Sequence, residues 1–177
     1  MKKILIVFFV ILLAFCAFAA TRPDNFRITR SMDINAPAEV VFSNINDLHA
    51  WQTWSPWAKK DPNAQVSYAG PEIGEGSSFH WAGNSDVGEG TMTIIESRPS
   101  QLVKFRLDFL KPFTATNNSE FVLTQTPQGT NVSWSMYGKN NFIGKIIGIF
   151  MDCEKMVGPD FEQGLMNLKG VAEAKKS

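Results

Sequence analysis

Hydrophobic and polar residues alternate along the middle of the chain, most clearly in QLVKFRLDF, residues 101–109. Val103, Phe105, Leu107 and Phe109 fall on one side of this segment, and charged residues lie between them. Such alternation predicts a strand with one buried and one wet face, as in an antiparallel sheet that is covered on one side. The same period predicts further strands at residues 26–34, 78–82, 89–97, 120–126 and 131–137.

Helical spacing of apolar residues replaces this alternation in two parts of the chain. Residues 37–47 and 48–54 predict two short helices after the first strand, and Ser55-Pro56 should end the second, because proline disfavours helical geometry in the residue before it. Residues 142–151 predict another helix, and a longer amphipathic helix is expected to begin around Pro159. Its apolar stripe consists of Phe161, Leu165, Leu168 and Ala172. This order predicts an α+β fold in which a curved antiparallel sheet wraps around the long C-terminal helix.

The N-terminal segment differs from the rest of the chain. Lys2 and Lys3 precede seventeen uncharged apolar residues, 4–20. As a helix this run is about 26 Å long, just short of a hydrocarbon core of about 30 Å. Residues 17–19 also offer the small-x-small pattern of a signal cleavage site, so an uncleaved anchor and a removed signal both fit. Either way the two lysines favour a cytoplasmic start, which places the rest across the membrane. We assign residues 1–22 to this segment and 26–173 to one folded domain.

A curved sheet crossed by a single long helix predicts a cavity, because one helix cannot fill the whole concave side. A solidly packed core is the alternative, and the many large aromatic residues on one sheet face favour the cavity. The expected lining comes from the apolar faces of the strands and the helix: Phe79, Trp81, Phe105, Leu107, Phe121, Trp134, Met136, Phe161, Leu165 and Leu168.

Three tryptophans lie close together in HAWQTWSPW, residues 49–57. Trp51 and Trp54 are three residues apart and share a helix face, whereas Trp57 follows the Ser55-Pro56 stop. We expect them to anchor the core, since aromatic rings bury large areas. The mouth of a pocket and contact with a bilayer remain open as alternatives.

Arg30 is the most specific candidate for binding a polar group. It shares a strand face with apolar residues, where an unpaired guanidinium would be costly to bury. It could bind the carboxylate or phosphate head group of a ligand. Alternatively, it could lie at a frayed rim of the sheet or pair with a nearby acid such as Glu96. The strand register places Glu96 on the inward face together with Gln125.

Charge and side-chain chemistry exclude several other functions. The chain has 17 basic and 17 acidic residues, and without Lys2 and Lys3 the remainder is mildly acidic, so a nucleic acid is not an expected partner. The two histidines, His49 and His80, do not group with acids or cysteines at metal-ligand spacing. We therefore assign no metal, no cofactor and no catalytic residue.

Several segments together resemble a known family: INAPAEVVFSNINDLHAWQTWSPW, YAGPEIGEGSSFHWAG, VGEGTMTI, LKPF and GPDFEQGLMNLK. They are similar to the polyketide cyclase/dehydrase-like branch of the START-like (SRPBCC) superfamily, over roughly residues 26–173. The resemblance implies a helix-grip fold that holds a hydrophobic ligand, a lipid or a polyketide-like molecule, between the sheet and the long helix. Relatives also include cyclases and chaperone activators, so a cyclase or dehydratase enzyme and a protein-interaction module are alternatives to a ligand carrier. Many members begin with a short transmembrane segment, which favours the membrane anchor.

Overall fold

A computed structural model describes residues 2–140, 142–150 and 153–174. Seven strands form one antiparallel sheet in the order β1-β7-β6-β5-β4-β3-β2. The strands are β1 Asn25–Ile34, β2 Gln65–Ala69, β3 Ser78–Ala82, β4 Glu89–Arg98, β5 Leu102–Lys111, β6 Ala115–Thr126 and β7 Gly129–Lys139. The helices are α1 Lys2–Ala20, α2 Ala38–Asn46, α3 Leu48–Trp54, α4 Pro56–Lys60, α5 Phe142–Phe150 and α6 Cys153–Ala174.

The helix-grip architecture predicted from the sequence is confirmed. The long helix α6 lies along the concave side of the curved sheet, and its predicted stripe of Phe161, Leu165, Leu168 and Ala172 is buried there. The predicted inward faces of the strands are also buried, because period-two alternation places every second side chain on the covered face.

Two elements were missed by the sequence prediction. The edge strand β2 has five exposed residues, so it lacks the buried face that produces a recognisable alternation. The third short helix, α4, begins at Pro56, the residue that was expected only to stop α3. Ser55 is extended and does end α3, but proline with its fixed φ also suits the first position of a new helix.

The long helix begins earlier than predicted. It starts at Cys153, so Pro159 lies inside it and not at its first turn. Proline clashes with the Cβ of the residue before it in a helix, and here that residue is Gly158, which has no Cβ. A methyl group on Gly158 would also lie 2.3 Å from the guanidinium of Arg30, so the glycine lets α6 approach β1.

A second glycine sets the distance between α6 and the sheet near the middle of the helix. A Cβ on Gly164 would lie 2.7 Å from the ring of Trp134 and 3.2 Å from Pro56. The Trp134 ring cannot easily move away, since it is stacked between Phe161 and Phe121 at centroid distances of 4.0 and 4.7 Å. This contact brings α6, the short helices and the sheet together at one point.

The two ends of the sheet are filled differently. We call one of them the α1 end: β1, β2, β4 and β6 begin there, and β3, β5 and β7 end there. At the opposite end the concave side is packed solid by Ile34, Ile45, Leu123, Val132 and Leu168. The open space in the domain therefore lies toward the α1 end.

Candidate ligand-binding site

A partly open cavity of about 410 Å³ lies between the sheet and helices α3, α4 and α6. The short helices form its roof and are fixed to α6 by hydrogen bonds. Asn167 donates to the carbonyl oxygen of Trp54 at 2.9 Å, and Lys60 pairs with Asp160 at 2.6 Å. The wall consists mainly of apolar residues: Trp51, Gln52, Ser55, Trp57, Ala58, Asp61, Pro62, Ala64, Val66, Phe79, Trp81, Val87, Met92, Leu107, Phe109, Ser119, Trp134, Met136, Val157 and Phe161.

Six residues predicted from the sequence line this cavity. They come from β3, β5, β7 and α6: Phe79, Trp81, Leu107, Trp134, Met136 and Phe161. Their strand positions alternate with outward-facing residues, which is why the sequence pattern could select them.

Four other predicted lining residues do not reach the cavity. Phe105, Phe121, Leu165 and Leu168 are almost completely buried in the packed half of the domain. Two of them, Phe105 and Phe121, pack against the indole of Trp51 at ring-centroid distances of 5.6 and 5.8 Å. The expectation that the whole apolar face borders a cavity was therefore wrong, because the tryptophan divides the interior into a solid half and an open half.

The tryptophan cluster has two structural roles. Trp54 is 0% exposed and its indole N–H donates to the carbonyl oxygen of Asn44 at 2.9 Å, so it anchors the core as expected. Trp51 has one side in the core and another on the cavity. Trp57 is half-buried in the cavity wall, with its ring edge-on to Trp134 at 5.7 Å.

Arg30 lies outside the cavity. It is on the inward face of β1 as predicted, but its guanidinium bonds to Glu162 at 2.7 Å and to Glu154 at 3.3 Å, both on α6. The hydrogen bond that Arg30 donates to Glu162 raises the pKa of Arg30 above its ordinary value. The guanidinium therefore joins β1 to α6 and does not point into the cavity toward a ligand head group. The alternative prediction was that Arg30 pairs with an acid. It does, but its partners are Glu162 and Glu154, and not Glu96.

The two polar residues assigned to the inward register also lie elsewhere. A bulge between Ile94 and Glu96 shifts the alternation of β4 by one residue, which turns Glu96 to the convex face. There it accepts a hydrogen bond from Lys104 at 2.7 Å, which holds the pKa of Glu96 below its ordinary value. Gln125 is exposed near the turn between β6 and β7. Neither residue supplies a polar group to the cavity.

Some polar groups in the wall are already used by the protein. The hydroxyl of Ser119 donates to the carbonyl oxygen of Ser135 at 3.0 Å and accepts the indole N–H of Trp134 at 2.9 Å. The carboxylate of Asp61 accepts the backbone N–H groups of Asn63 and Asn84, at 3.1 and 2.7 Å. These contacts stabilise the wall and leave the groups less able to bind a guest.

Two other polar groups in the wall make no hydrogen bond inside the described part of the chain. Trp51 and Ser55 are only 4% and 3% exposed, yet neither the indole N–H nor the hydroxyl makes a hydrogen bond there. Every side-chain polar atom sealed from solvent in that part is hydrogen-bonded, so these two atoms must border open space. The open space that both residues line is the cavity. A donor and a hydroxyl one helical turn apart thus form a polar spot on an apolar wall.

The histidines do not contribute to the cavity. His80 faces away from Phe79 and Trp81, and its Nδ1 lies 3.2 Å from the hydroxyl of Thr91. His49 stacks on Tyr68 at a centroid distance of 3.8 Å. Within residues 2–140, 142–150 and 153–174 no group of three His, Cys, Asp or Glu side chains could hold a metal ion.

Sequence reasoning missed most of the roof. Trp51, Ser55, Trp57 and Ala58 come from short helices whose orientation depends on their packing against α6, which no local pattern encodes. Several wall residues were recoverable: Phe109 and Met92 belong to strand segments with clear alternation. The remaining missed residues are Gln52, Asp61, Pro62, Ala64, Val66, Val87, Ser119 and Val157.

The fold and cavity define an α+β protein of the START-like, helix-grip class. Residues 25–173 match the family described as polyketide cyclase / dehydrase and lipid transport, and the chain belongs to that family. The comparison with curated proteins finds no match.

Solved structures with the same fold share little sequence with the chain. SA2116 from Staphylococcus aureus, described as a protein of unknown function, is 10% identical with a TM-score of 0.64, and the match covers 86% of this chain and 96% of that one. CV1439 from Chromobacterium violaceum is 15% identical with a TM-score of 0.58, covering 85% and 99%. The di-domain ARO/CYC StfQ from the steffimycin biosynthetic pathway is 8% identical with a TM-score of 0.61, covering 86% of this chain and 52% of that one. These likenesses concern the fold.

Proposed function

We propose that this protein binds one small, mainly hydrophobic molecule in the cavity, and that α1 anchors it to a membrane with the folded domain on the extracytoplasmic side. The observation that carries the proposal is a cavity with a mainly apolar wall and two polar groups that make no hydrogen bond within the described residues. Sites for small molecules have this composition: apolar side chains supply affinity and a few polar groups fix the orientation.

The size of the cavity favours a compact guest. Its volume of about 410 Å³ is near the lower end of the range of about 300–1,000 Å³ for small-molecule pockets. A single acyl chain or a fused-ring, polyketide-like molecule suits that volume better than a lipid with two long chains.

The polar spot at Trp51 and Ser55 specifies the chemistry of one part of the guest. An indole N–H needs an acceptor, and the Ser55 hydroxyl can donate or accept. A carbonyl or hydroxyl oxygen on the ligand satisfies both groups, and leaving them unpaired in a dry site costs free energy. We infer that the ligand is apolar with at least one neutral oxygen function near the roof. A carboxylate or phosphate is disfavoured, since the described residues of the wall include no lysine or arginine.

The anchor rests on α1 and its flanks. Among the described residues, α1 is the one helix that is long and apolar enough to cross a membrane, and it is scarcely buried by the domain. Lys2 and Lys3 at its start favour a cytoplasmic N-terminus. Removal of this segment as a signal peptide would instead give an exported, untethered domain.

A cyclase or dehydratase is the second candidate, favoured by the family match and by the fold shared with the ARO/CYC protein StfQ. General acid–base chemistry needs an ionisable group within reach of the substrate. Among the described residues of the wall, the ionisable group is the Asp61 carboxylate, which already accepts hydrogen bonds from two backbone amides. Binding without turnover therefore requires less of the residues that line the cavity.

Native mass spectrometry of the full chain, purified from its own host and released from detergent micelles, tests the proposal. Ala58→Phe places an aromatic ring in the cavity wall, and Ala69→Phe adds the same ring at an exposed position at the other end of the sheet. We expect one additional small-molecule mass on the wild type and on Ala69→Phe, and its loss from Ala58→Phe. A bare wild-type chain, or the same bound mass on all three proteins, would contradict binding in this cavity.

A further inference from the structure

The position of the cavity relative to α1 has a consequence for how a ligand reaches it. Several wall residues lie at the α1 end of the sheet. Val66 is the second residue of β2, and Trp81 is the last but one of β3. Phe109 pairs with Ala115, the first residue of β6, and Val87 is in the loop between β3 and β4. At the opposite end the concave side is filled by buried side chains, and the hollow beside residues 36–39 and 125–129 shares no lining residue with this cavity. The cavity therefore extends to the α1 end of the sheet.

The connection between α1 and the sheet is short. Only residues 21–24 separate the end of α1 from the start of β1, and four residues span at most about 14 Å. Part of this length is used to continue the helix, because the N–H groups of Thr21 and Arg22 bond to the carbonyl oxygens of Phe18 and Ala19, both at 3.1 Å. If α1 crosses a bilayer, the α1 end of the sheet must lie at its surface.

Helix α5 strengthens this connection. Lys145 on α5 donates to the carbonyl oxygen of Ala20 at 3.3 Å and forms an ion pair with Asp24. The ion pair keeps the pKa of Asp24 below its ordinary value. The two contacts hold α5, whose sequence FIGKIIGIF has one charge, against the last turn of α1.

Large hydrophobic side chains are exposed at this same end. Leu110 and Phe113, beside the turn between β5 and β6, are 48% and 61% exposed, and Phe142 at the start of α5 is 47% exposed. Basic residues lie beside them at strand ends, namely Lys139 and Lys111, and Lys111 also pairs with Glu89 at 2.6 Å. Apolar side chains flanked by cations suit the boundary between acyl chains and anionic head groups.

We propose that the α1 end docks on the bilayer, with Leu110, Phe113 and Phe142 inserted at the interface and the open side of the cavity facing the membrane. This inference rests on the proposed function through the anchor. A hydrophobic guest then passes between the bilayer and the cavity without exposing its apolar surface to water, which is unfavourable.

Depth-dependent quenching of a site-specific fluorophore tests the docking. The chain's two cysteines, Cys16 and Cys153, are replaced by serine, and a bimane label is attached at Phe113→Cys or at the control Ile73→Cys. Ile73 is 55% exposed in the loop between β2 and β3, at the opposite end of the sheet. The full chain is reconstituted in vesicles of phosphatidylcholine and phosphatidylglycerol that contain lipids with a nitroxide near the head group. We expect quenching at position 113 to exceed quenching at position 73 several-fold, and equal quenching at the two positions would overturn the docking.

Two further measurements separate the possible failures. Flotation of the vesicles reports the anchor: a chain that does not float disproves the membrane tether in the proposed function, and the docking with it. A chain that floats without preferential quenching at position 113 disproves the docking alone and leaves ligand binding intact.

Amide hydrogen exchange on the unsubstituted chain in nanodiscs avoids the cysteine replacements. Exchange at residues 110–114 should be slower in nanodiscs than in detergent, whereas exchange at residues 71–76 should be the same in both. The same change in exchange rate in both segments would contradict the docking.

Discussion

Truncation of Trp54 is the sharpest test of how the interior is divided. Trp54 is fully buried, lies edge-on to Trp51 at a centroid distance of 4.4 Å, and donates its indole N–H to the carbonyl oxygen of Asn44. Trp57, three residues later, is half-buried and borders the open cavity. If the two residues have the roles assigned here, Trp54→Ala and Trp57→Ala should differ strongly in their effect on stability.

The magnitude for Trp54→Ala follows from the area and the hydrogen bond that are lost. A buried tryptophan removes about 150–250 Å² from water, which corresponds to about 4–6 kcal/mol at about 25 cal/mol per Å². That area-based figure is an upper estimate, since unfolded chains already bury some surface. Measured truncations of buried large aromatics cost about 3–5 kcal/mol, and we expect a loss in that range. For Trp57→Ala the ring already faces open space, so we expect about 1–2 kcal/mol.

Urea unfolding of the full chain in a mild detergent, followed by far-UV circular dichroism, measures both effects. With a slope of about 1–3 kcal/mol per molar urea, Trp54→Ala should lower the midpoint by at least about 1 M. Trp57→Ala should shift it much less. Equal shifts for the two variants, or an unchanged midpoint for Trp54→Ala, would refute the division into a packed half and an open half.

Further substitutions test individual contacts. Gly164→Ala should lower the free energy of unfolding by about 1–3 kcal/mol through overpacking. Gly170→Ala on the same helix has open space around its Cβ and should raise the free energy of unfolding by up to about 1 kcal/mol. If urea unfolding shows a change of the same sign for both variants, the close packing of α6 is contradicted. The pKa of Glu96 is lower in the folded protein than in the unfolded chain, where it has its ordinary value. The ion pair of Glu96 therefore stabilises the fold at a pH above the ordinary pKa, and this contribution is lost as the pH falls through the folded-state pKa. Glu96→Gln should therefore show a smaller drop in urea midpoint between pH 7 and pH 3.5 than the wild type, and an equal drop would argue against the pairing. Arg30→Met should leave unchanged the fraction of chain that carries bound ligand in native mass spectrometry. A lower ligand-bound fraction would indicate that the guanidinium contacts the ligand. Ser55→Ala should weaken ligand affinity about 2–10-fold, which corresponds to the loss of one hydrogen bond. Stability should change little, because the hydroxyl does not cap α4. Unaltered affinity would show that Ser55 does not contact the ligand.

Much of the fold could be predicted from the sequence because its strands have one dry face. The register of β5 and β7 follows directly from alternation, and the stripe on α6 follows from helical spacing. Prediction failed where the local pattern is interrupted. A one-residue bulge before Glu96 reverses the side of the sheet on which it lies, and nothing in the alternation marks that position.

The candidate site was harder to predict than the fold. Alternation identifies which side chains point inward, but it does not separate those that meet other side chains from those that meet open space. That boundary depends on where Trp51 lies, which is set by the packing of α3 against the sheet. Phe105 and Leu107 illustrate the limit: they are adjacent inward positions on one strand, yet only Leu107 borders the cavity.

A crystal structure of the protein purified from its own host, without added ligand, tests the central claim most directly. The account predicts continuous electron density for a compact molecule between Trp57, Trp81 and Met136, with an oxygen within hydrogen-bond distance of the Ser55 hydroxyl. Side chains that close together and leave no room for a guest in that half of the domain would contradict it.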